Sequence, residues 1–394
     1  MNDTVAAIAT PIGSGGIGVI RISGPAAVEV AATVFSPNPR DFTSHSAHHG
    51  TLLSPARSEA IDDAVMTVFR APKSYTGEDV IEISCHGGMS TMKAALQAVL
   101  DAGARLANPG EFTQRAFLNG KLDLAQAEAV NDLIRARTDR SRKVALRQLD
   151  GSLSSRVSSV DSRILGVIAA VEAAIDFPDD VEEPEAVWIT TEISGAREAL
   201  ENLLNSFGKG RVFREGLRVV IAGRVNVGKS SLLNALLRHA RAIVTPIPGT
   251  TRDLIEESLE IQGIPIVAID TAGLRATDDP VEQAGVELSR QSIESADLIL
   301  LVTDAREGLH QEDQALLAEL HGRSVILVAN KIDLSDGEAK TIRSPGGEGW
   351  GEGAKTVTTS ATTGAGIDEL ENAIAEIAGA TGADAESLIV SNAR

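Results

Sequence analysis

Apolar residues change rhythm twice along this chain. Up to residue 118 they gather in short runs between turn residues, and the runs at 5–9, 18–22, 64–69 and 80–84 each read as a strand. Residues 89–102 repeat apolar positions at three- and four-residue spacing and read as a helix. This mixture predicts an α+β domain over 1–118. From residue 122 to 175 the chain turns to Ala, Leu, Arg and Gln at helical spacing, the material of a helical bundle. Phe177-Pro178-Asp179-Asp180 breaks that pattern, and another helix is expected over about 190–207. Residues 119–211 thus read as a helical domain that Lys209-Gly210-Arg211 leads out of.

After residue 216 the rhythm changes again. Nearly continuous apolar runs at 217–222, 258–262, 264–269, 298–303, 324–329 and 355–359 alternate with helical or polar stretches. Strands without polar alternation are those buried on both faces, which predicts a doubly wound α/β domain over 216–380. Gln262-Gly263 is a two-residue hairpin signal, so one edge strand should run antiparallel. The glycine-rich stretch 344–353 reads as a surface loop. The fold class is therefore multidomain α/β, with residues 381–394 opening a further segment.

Composition narrows the picture. The single cysteine, Cys85, excludes an intramolecular disulfide framework and a multi-cysteine metal site. No uninterrupted apolar run reaches membrane-spanning length, and the N-terminus lacks a basic region followed by an apolar one, so a cytoplasmic protein with no membrane attachment is expected. The net charge of −19 is concentrated after residue 216 and disfavours general nucleic-acid binding. The cluster Arg135, Arg137, Arg140, Arg142, Lys143 and Arg147 reads first as a solvated helix face, with contact to RNA phosphates as the alternative.

The candidate chemistry begins at Gly223-Arg224-Val225-Asn226-Val227-Gly228-Lys229-Ser230, a G-x-x-x-x-G-K-[ST] loop between a strand pattern and a helix that opens with Ser231. That order aims backbone N–H groups and a helix N-terminus at phosphates. Lys229 would reach the β/γ-phosphates and Ser230 a magnesium ion. Asn330-Lys331-Ile332-Asp333 follows another strand. The Asp333 carboxylate can accept from both N1–H and the 2-amino group of guanine, a pair adenine lacks. Ser360-Ala361 should buttress the base through backbone N–H groups. Asp270-Thr271-Ala272-Gly273 should hold magnesium through water at Asp270 and sense the γ-phosphate at the Gly273 N–H, and Thr251, within Gly249-Thr250-Thr251-Arg252-Asp253, should close on magnesium. Leu274 stands where Ras-like switches place a water-orienting glutamine, so another group must polarise the water; Glu282, Arg252 and Arg275 are candidates. Gly13-Ser14-Gly15-Gly16-Ile17-Gly18 fits a dinucleotide fingerprint literally, but a β-like run follows it rather than a helix, which argues for a ligand-approach turn.

These pieces, with Asn226 in the phosphate loop and Leu274 after the switch, resemble the MnmE (TrmE) family of tRNA-modification GTPases over nearly the whole chain. The most specific likeness lies in Ala9-Thr10-Pro11 with residues 15–24, Tyr75-Thr76-Gly77-Glu78-Asp79, Cys85-His86-Gly87-Gly88, and Pro109-Gly110-Glu111-Phe112-Thr113 with Arg115 through Leu124. The resemblance implies an N-terminal domain that binds 5,10-methylene- or 5-formyl-tetrahydrofolate through Arg21, Glu82 and Lys121; the residues alone read Arg21 and Glu82 as a strand-surface pair. It implies a Ras-like nucleotide domain in which Asn226, with Thr245, Ile247 and Thr250, holds potassium in place of an arginine finger, and in which Glu282 polarises water. Partners implied are a second copy of the chain, an FAD-dependent MnmG (GidA) protein, and tRNA, modified at C5 of the wobble uridine. Family members continue into further C-terminal helices and a Cys-x-Gly-Lys tail, whereas this sequence stops at Ser391-Asn392-Ala393-Arg394, and Cys85 is not the tail cysteine. A ribosome-assembly GTPase acting as a nucleotide-timed binding module is the alternative reading of the nucleotide motifs.

Overall fold

A computed structural model describes residues 3–55, 59–242, 256–270, 292–334 and 355–379. The chain forms two compact units, Met1–Val130 and Asn131–Arg394.

In the first unit, β1 (Val5–Ile8), β2 (Gly18–Ser23), β3 (Phe35–Ser36), β4 (Ser46–Ser54), β5 (Glu59–Phe69), β6 (Val80–Cys85) and β7 (Arg105–Leu106) form one sheet. Its order is β3-β4-β5-β6-β2-β1-β7, antiparallel except for β1 beside β7. Period-2 alternation sends Ile20, Ile22, Met66, Val68, Ile81 and Ile83 to one face, where each is fully buried. Two helices cover that face: α1 (Ala27–Val34) through Val30, Ala31 and Val34, and α2 (Met89–Asp101) through Met92, Ala95 and Val99. Each such aliphatic side chain contributes about 1.5–3 kcal/mol by leaving water. The opposite face is half open and carries the row Ala7, Arg21, Glu82 and Thr67 in register. Two further helices, α3 (Glu111–Leu118) and α4 (Leu124–Arg135), follow.

In the second unit, three helices precede a second sheet: α5 (Asp139–Leu149), α6 (Ser152–Asp176) and α7 (Ala186–Glu215). Helix α7 extends well beyond the predicted 190–207. Lys209-Gly210-Arg211 lies inside it rather than in a connector, and the chain leaves the helix at Gly216, with φ 88°. Gly208 and Gly210 cost only about 1 kcal/mol each, which the apolar contacts of Val212 and Phe213 offset. The strands are β8 (Leu217–Ala222), β9 (Arg241–Ala242), β10 (Glu256–Ile261), β11 (Ile264–Asp270), β12 (Leu298–Asp304), β13 (Val325–Asn330) and β14 (Lys355–Thr358). Their order is β14-β13-β12-β8-β11-β10-β9, with the five strands from β14 to β11 parallel and β10 antiparallel to both β11 and β9. Gln262 and Gly263 both have positive φ, 51° and 83°, and turn β10 into β11 as the sequence predicts.

Both faces of this sheet are covered, which is why its strands read as continuous apolar runs. Leu298, Leu300 and Val302 face a core shared with α8 (Lys229–His239) and α10 (Ile367–Ile377). Ile299 and Leu301 face the other side, against Leu317 of α9 (Gln311–Glu319). Helices α5 and α7 are tied to this body: Ser141 Oγ donates to the Phe213 carbonyl at 2.6 Å, and Arg211 pairs with Asp297. Among the described residues no helix is long and apolar enough to cross a membrane.

Candidate functional site

The carboxyl ends of the parallel strands carry the chemistry-bearing residues, which is where open α/β sheets bind ligands. Strand β8 runs into the loop 223–228, and α8 begins at Lys229 with Gly228 as its cap at φ 96°. Two glycines of this loop are sterically required. A Cβ at Gly223 would collide with the Val302 carbonyl, and one at Gly228 with the Asn330 amide. Asn226 adopts φ 63°, a left-handed conformation that asparagine tolerates better than most residues. Lys229 is buried, and its Nζ donates to the carbonyls of Gly223 and Arg224, each at 2.8 Å. The ammonium thus sits inside the loop, where phosphate oxygens could replace those carbonyls. Val227 is buried, whereas Ser230 and Ser231 lie exposed on the first turn of α8.

Asn330 joins three segments at the end of β13. Its Nδ2 donates to the Val227 carbonyl at 3.0 Å, and its Oδ1 accepts from Thr359 Oγ1 at 3.3 Å and from the Ala361 N–H at 3.2 Å. A fully buried amide with both ends occupied fixes the distance from phosphate loop to base-reading loop. Lys331, at φ 66°, extends across the loop and donates to the Asn226 carbonyl and to Asp304 Oδ2. Asp333 follows in a 3-10 turn and is exposed, as a group that reads a base must be before the base arrives. Ser360 is fully buried; its N–H donates to the Ala365 carbonyl and its Oγ accepts from the Thr363 N–H. The N–H groups of Ser360 and Ala361 therefore bond within the protein, and the pair supports the site by holding Asn330 and its own turn.

Sequence reasoning missed two residues here. Asp304, at the end of β12, is buried and accepts from Arg306 and Lys331. The Arg306 guanidinium, joined by Lys331, holds its carboxyl well below the ordinary carboxylate range. Arg224, an unspecified position of the loop motif, points away to Asp313 at 3.2 Å and Glu307 at 2.9 Å, anchoring the loop to the start of α9. The only sequence signal for Asp304 is its place as the first charged residue after an apolar strand. The Asp270 backbone ends β11, beside Ile221 of β8. Thr245, Ile247, Thr250, Thr251, Arg252, Thr271, Ala272, Gly273, Leu274, Arg275 and Glu282 lie outside the described residues.

The first unit holds the second candidate site, on its half-open sheet face. Arg21 and Glu82 are cross-strand partners, with Nε to Oε1 at 2.8 Å and Nη2 to Oε1 at 2.7 Å. The Arg21 guanidinium lies 5.4 Å from the centre of the Tyr75 ring and 5.6 Å from that of Phe112. Lys121 donates to the Pro72 carbonyl at 3.3 Å and packs its stem by Gly77. The segment carrying Phe112 is pinned by a buried ion network. Arg115, 1 % exposed, contacts Asp3 at 2.8 Å, Glu78 at 3.1 Å and Glu111 at 2.9 Å, and Arg105 bridges Asp3 and Glu111. The arrangement offers a charged pair between aromatic rings, suited to a planar heterocycle with its own donors and acceptors. The loop at 13–18 leads into β2 rather than a helix, so the dinucleotide fingerprint is not built.

Comparison with known proteins places both units. Residues 4–121 match the family model of the GTP-binding protein TrmE N-terminus, and residues 124–394 match that of the MnmE helical domain. The tRNA modification GTPase MnmE of Geobacillus thermodenitrificans is 49 % identical over 382 residues, covering 95 % of this chain and 82 % of that protein. The Bacillus subtilis protein of the same name is 47 % identical over 380 residues, covering 94 % of this chain and 82 % of its own length. Among solved structures, an Aquifex aeolicus Era protein bound to GDP and AlF4− is 34 % identical, covering 41 % of this chain and 56 % of that one, with a TM-score of 0.32.

Proposed function

The chain belongs to the MnmE (TrmE) family, and on that premise we propose that it is a GTP hydrolase serving tRNA modification. In this reading it acts as a homodimer with an FAD-dependent MnmG-type partner in the cytoplasm, on C5 of the wobble uridine, with a one-carbon tetrahydrofolate. The observation that supports it most is the meeting, at the carboxyl ends of the parallel strands, of a phosphate loop with a buried lysine and an Asn330 bridge to an exposed Asp333. The three-domain division at 1–118, 119–211 and 216–380, with 381–394 opening a further helical segment, belongs to the same proposal.

The roles follow from the chemistry of each group. Lys229 exchanges its two loop carbonyls for β/γ-phosphate oxygens, an exchange of equal hydrogen-bond count that adds opposite charge. The N-terminal turn of α8, with Val227, Gly228, Ser230 and Ser231, supplies N–H groups to phosphate. Ser230 and Thr251 would hold magnesium, with Asp270 acting through water, and the ion would offset phosphate charge. Thr271, Ala272 and Gly273 would meet the γ-phosphate, while Asp333 accepts from guanine and Asn330 and Lys331 frame the base. Potassium suits an all-oxygen donor set, here Asn226 with Thr245, Ile247 and Thr250, and would supply the charge that an arginine finger supplies elsewhere. Glu282 would polarise the attacking water. Arg21, Glu82 and Lys121 would hold the folate, a carboxylate serving the pterin edge and cations its acidic tail.

The test is GTP hydrolysis in potassium against sodium, with calorimetry of 5-formyltetrahydrofolate on the same protein. Faster turnover in potassium together with folate binding is the expected result. Equal rates in both salts with no folate heat would overturn the reading. Co-sedimentation with ribosomal particles without folate binding would favour an assembly GTPase instead.

A further inference from the structure

At the end of α8 remote from the phosphate loop, His239 faces two carboxylates on the first turns of α10, Asp368 and Glu371. His239 Nδ1 lies 3.6 Å from Asp368 Oδ1 and 3.6 Å from Glu371 Oε1, and the three ligand atoms all fall within 4.8 Å of one another. These separations are too long for hydrogen bonds. The two separations from His239 lie nearer those of a tetrahedral site, where bonds of about 2.1 Å set ligand atoms about 3.4 Å apart, than those of an octahedral magnesium site, about 3.0 Å apart, and the two carboxylates have up to 4.8 Å to close on an ion. A second observation points the same way. Glu371 Oε1 is buried and accepts no hydrogen bond, its contact with His239 at 3.6 Å being a charge contact only, and buried polar atoms are rarely left without one. Even with the imidazole protonated, the two carboxylates leave the cluster net negative.

We infer that His239, Asp368 and Glu371 form a binding site for a divalent transition cation of the zinc type, with water completing its coordination. One imidazole nitrogen and two carboxylate oxygens are a zinc-compatible donor set. The site is separate from the nucleotide's magnesium, because the ten-residue rise from Lys229 to His239 is about 15 Å. Its cation staples the end of α8 to the start of α10, the helix that follows the Ser360-Ala361 turn.

The experiment uses the full chain, stripped with chelator and free of nucleotide, titrated with cobalt(II). A visible tetrahedral cobalt band saturating at one equivalent and displaced by zinc is expected, along with a zinc-dependent rise in melting temperature. His239→Ala and Glu371→Gln should abolish the band, and Asp368→Asn should weaken binding by about tenfold or more. GTP hydrolysis with magnesium should be unchanged in all three variants, which separates this site from the nucleotide site. Absence of the band, or a band and zinc shift that persist in His239→Ala, would overturn the inference.

Discussion

Single residues carry the discrimination this protein is proposed to make. Asn226 has its backbone carbonyl bound by Lys331, so the Asn226 side chain can be changed without dismantling that bridge. Asn226→Ala should leave GTP affinity within about threefold while removing potassium stimulation, since one ligand of a charge-stabilising ion is lost. Turnover measured in potassium and sodium decides it, and undiminished stimulation would rule Asn226 out as a ligand. Asp333 is exposed and engages no described neighbour in the manner of Asn330, so its isosteric amide should fold normally. Asp333→Asn should lower GTP affinity by at least about 100-fold and raise that for xanthosine triphosphate, because the amide can donate to the extra carbonyl. Retained GTP preference in competition would contradict the base-reading role. At this scale familiar spacing in the sequence named the candidate site residues, but not Asp304 or Arg224. Asp304 reaches the site through Lys331, 27 positions away, and Arg224 is anchored by Asp313, 89 positions away, separations no local motif encodes.

Elements were legible in proportion to the apolar surface they bury. Six of the seven strands of the second sheet were read to within two residues at either end, because covering both faces forces unbroken apolar runs. β4 was not read at all: of SAHHGTLLS only Leu52 is buried, and the strand exists through its backbone pairing with β5. The same holds for the two-residue strands β3, β7 and β9, which have no room for a pattern. α1 was missed as one short helix among strands. The 122–175 pattern was read as continuous helical material, where the structure breaks it near residues 136–138 and at Gly151, with φ 81°. Element ends also hold the tightest constraints. Gly366 caps α10 at φ 75°, where an added Cβ would meet the Thr358 carbonyl. Gly366→Ala should destabilise the nucleotide-binding unit by more than about 2 kcal/mol, read as a lower urea midpoint in its denaturation. An unchanged midpoint would mean that β14 and α10 can separate without penalty.

At the scale of the whole molecule, charge decides how the first unit responds to acid. Asp3 and Glu111 are both held down to about 2, chiefly by Arg105, which is followed by Arg115 at Asp3 and by the Asn108 N–H and then Arg115 at Glu111. A carboxyl depressed on folding stabilises the fold above its unfolded value near 4, and that contribution drains away as pH falls toward 2. Hydrogen exchange corrected for intrinsic rates should therefore show β1, β7 and α3 losing protection between pH 4 and pH 2, before the core strands β2 and β6. Simultaneous loss throughout would show that the network does not set acid stability. Removing its centre is harsher: Arg115→Met leaves Glu78 and Glu111 without their buried partner and should cost about 3–5 kcal/mol. Thermal melting checks this, and a loss below about 1 kcal/mol would mean that water readily replaces the guanidinium.

Helix α7 spans thirty residues without interruption and ends one residue before β8, with Gly216 as the joint. Such a rod is about 45 Å long. Rooted beside the strand that feeds the phosphate loop, it converts angle into distance: a tilt of about ten degrees at its base would carry its far tip through about 8 Å.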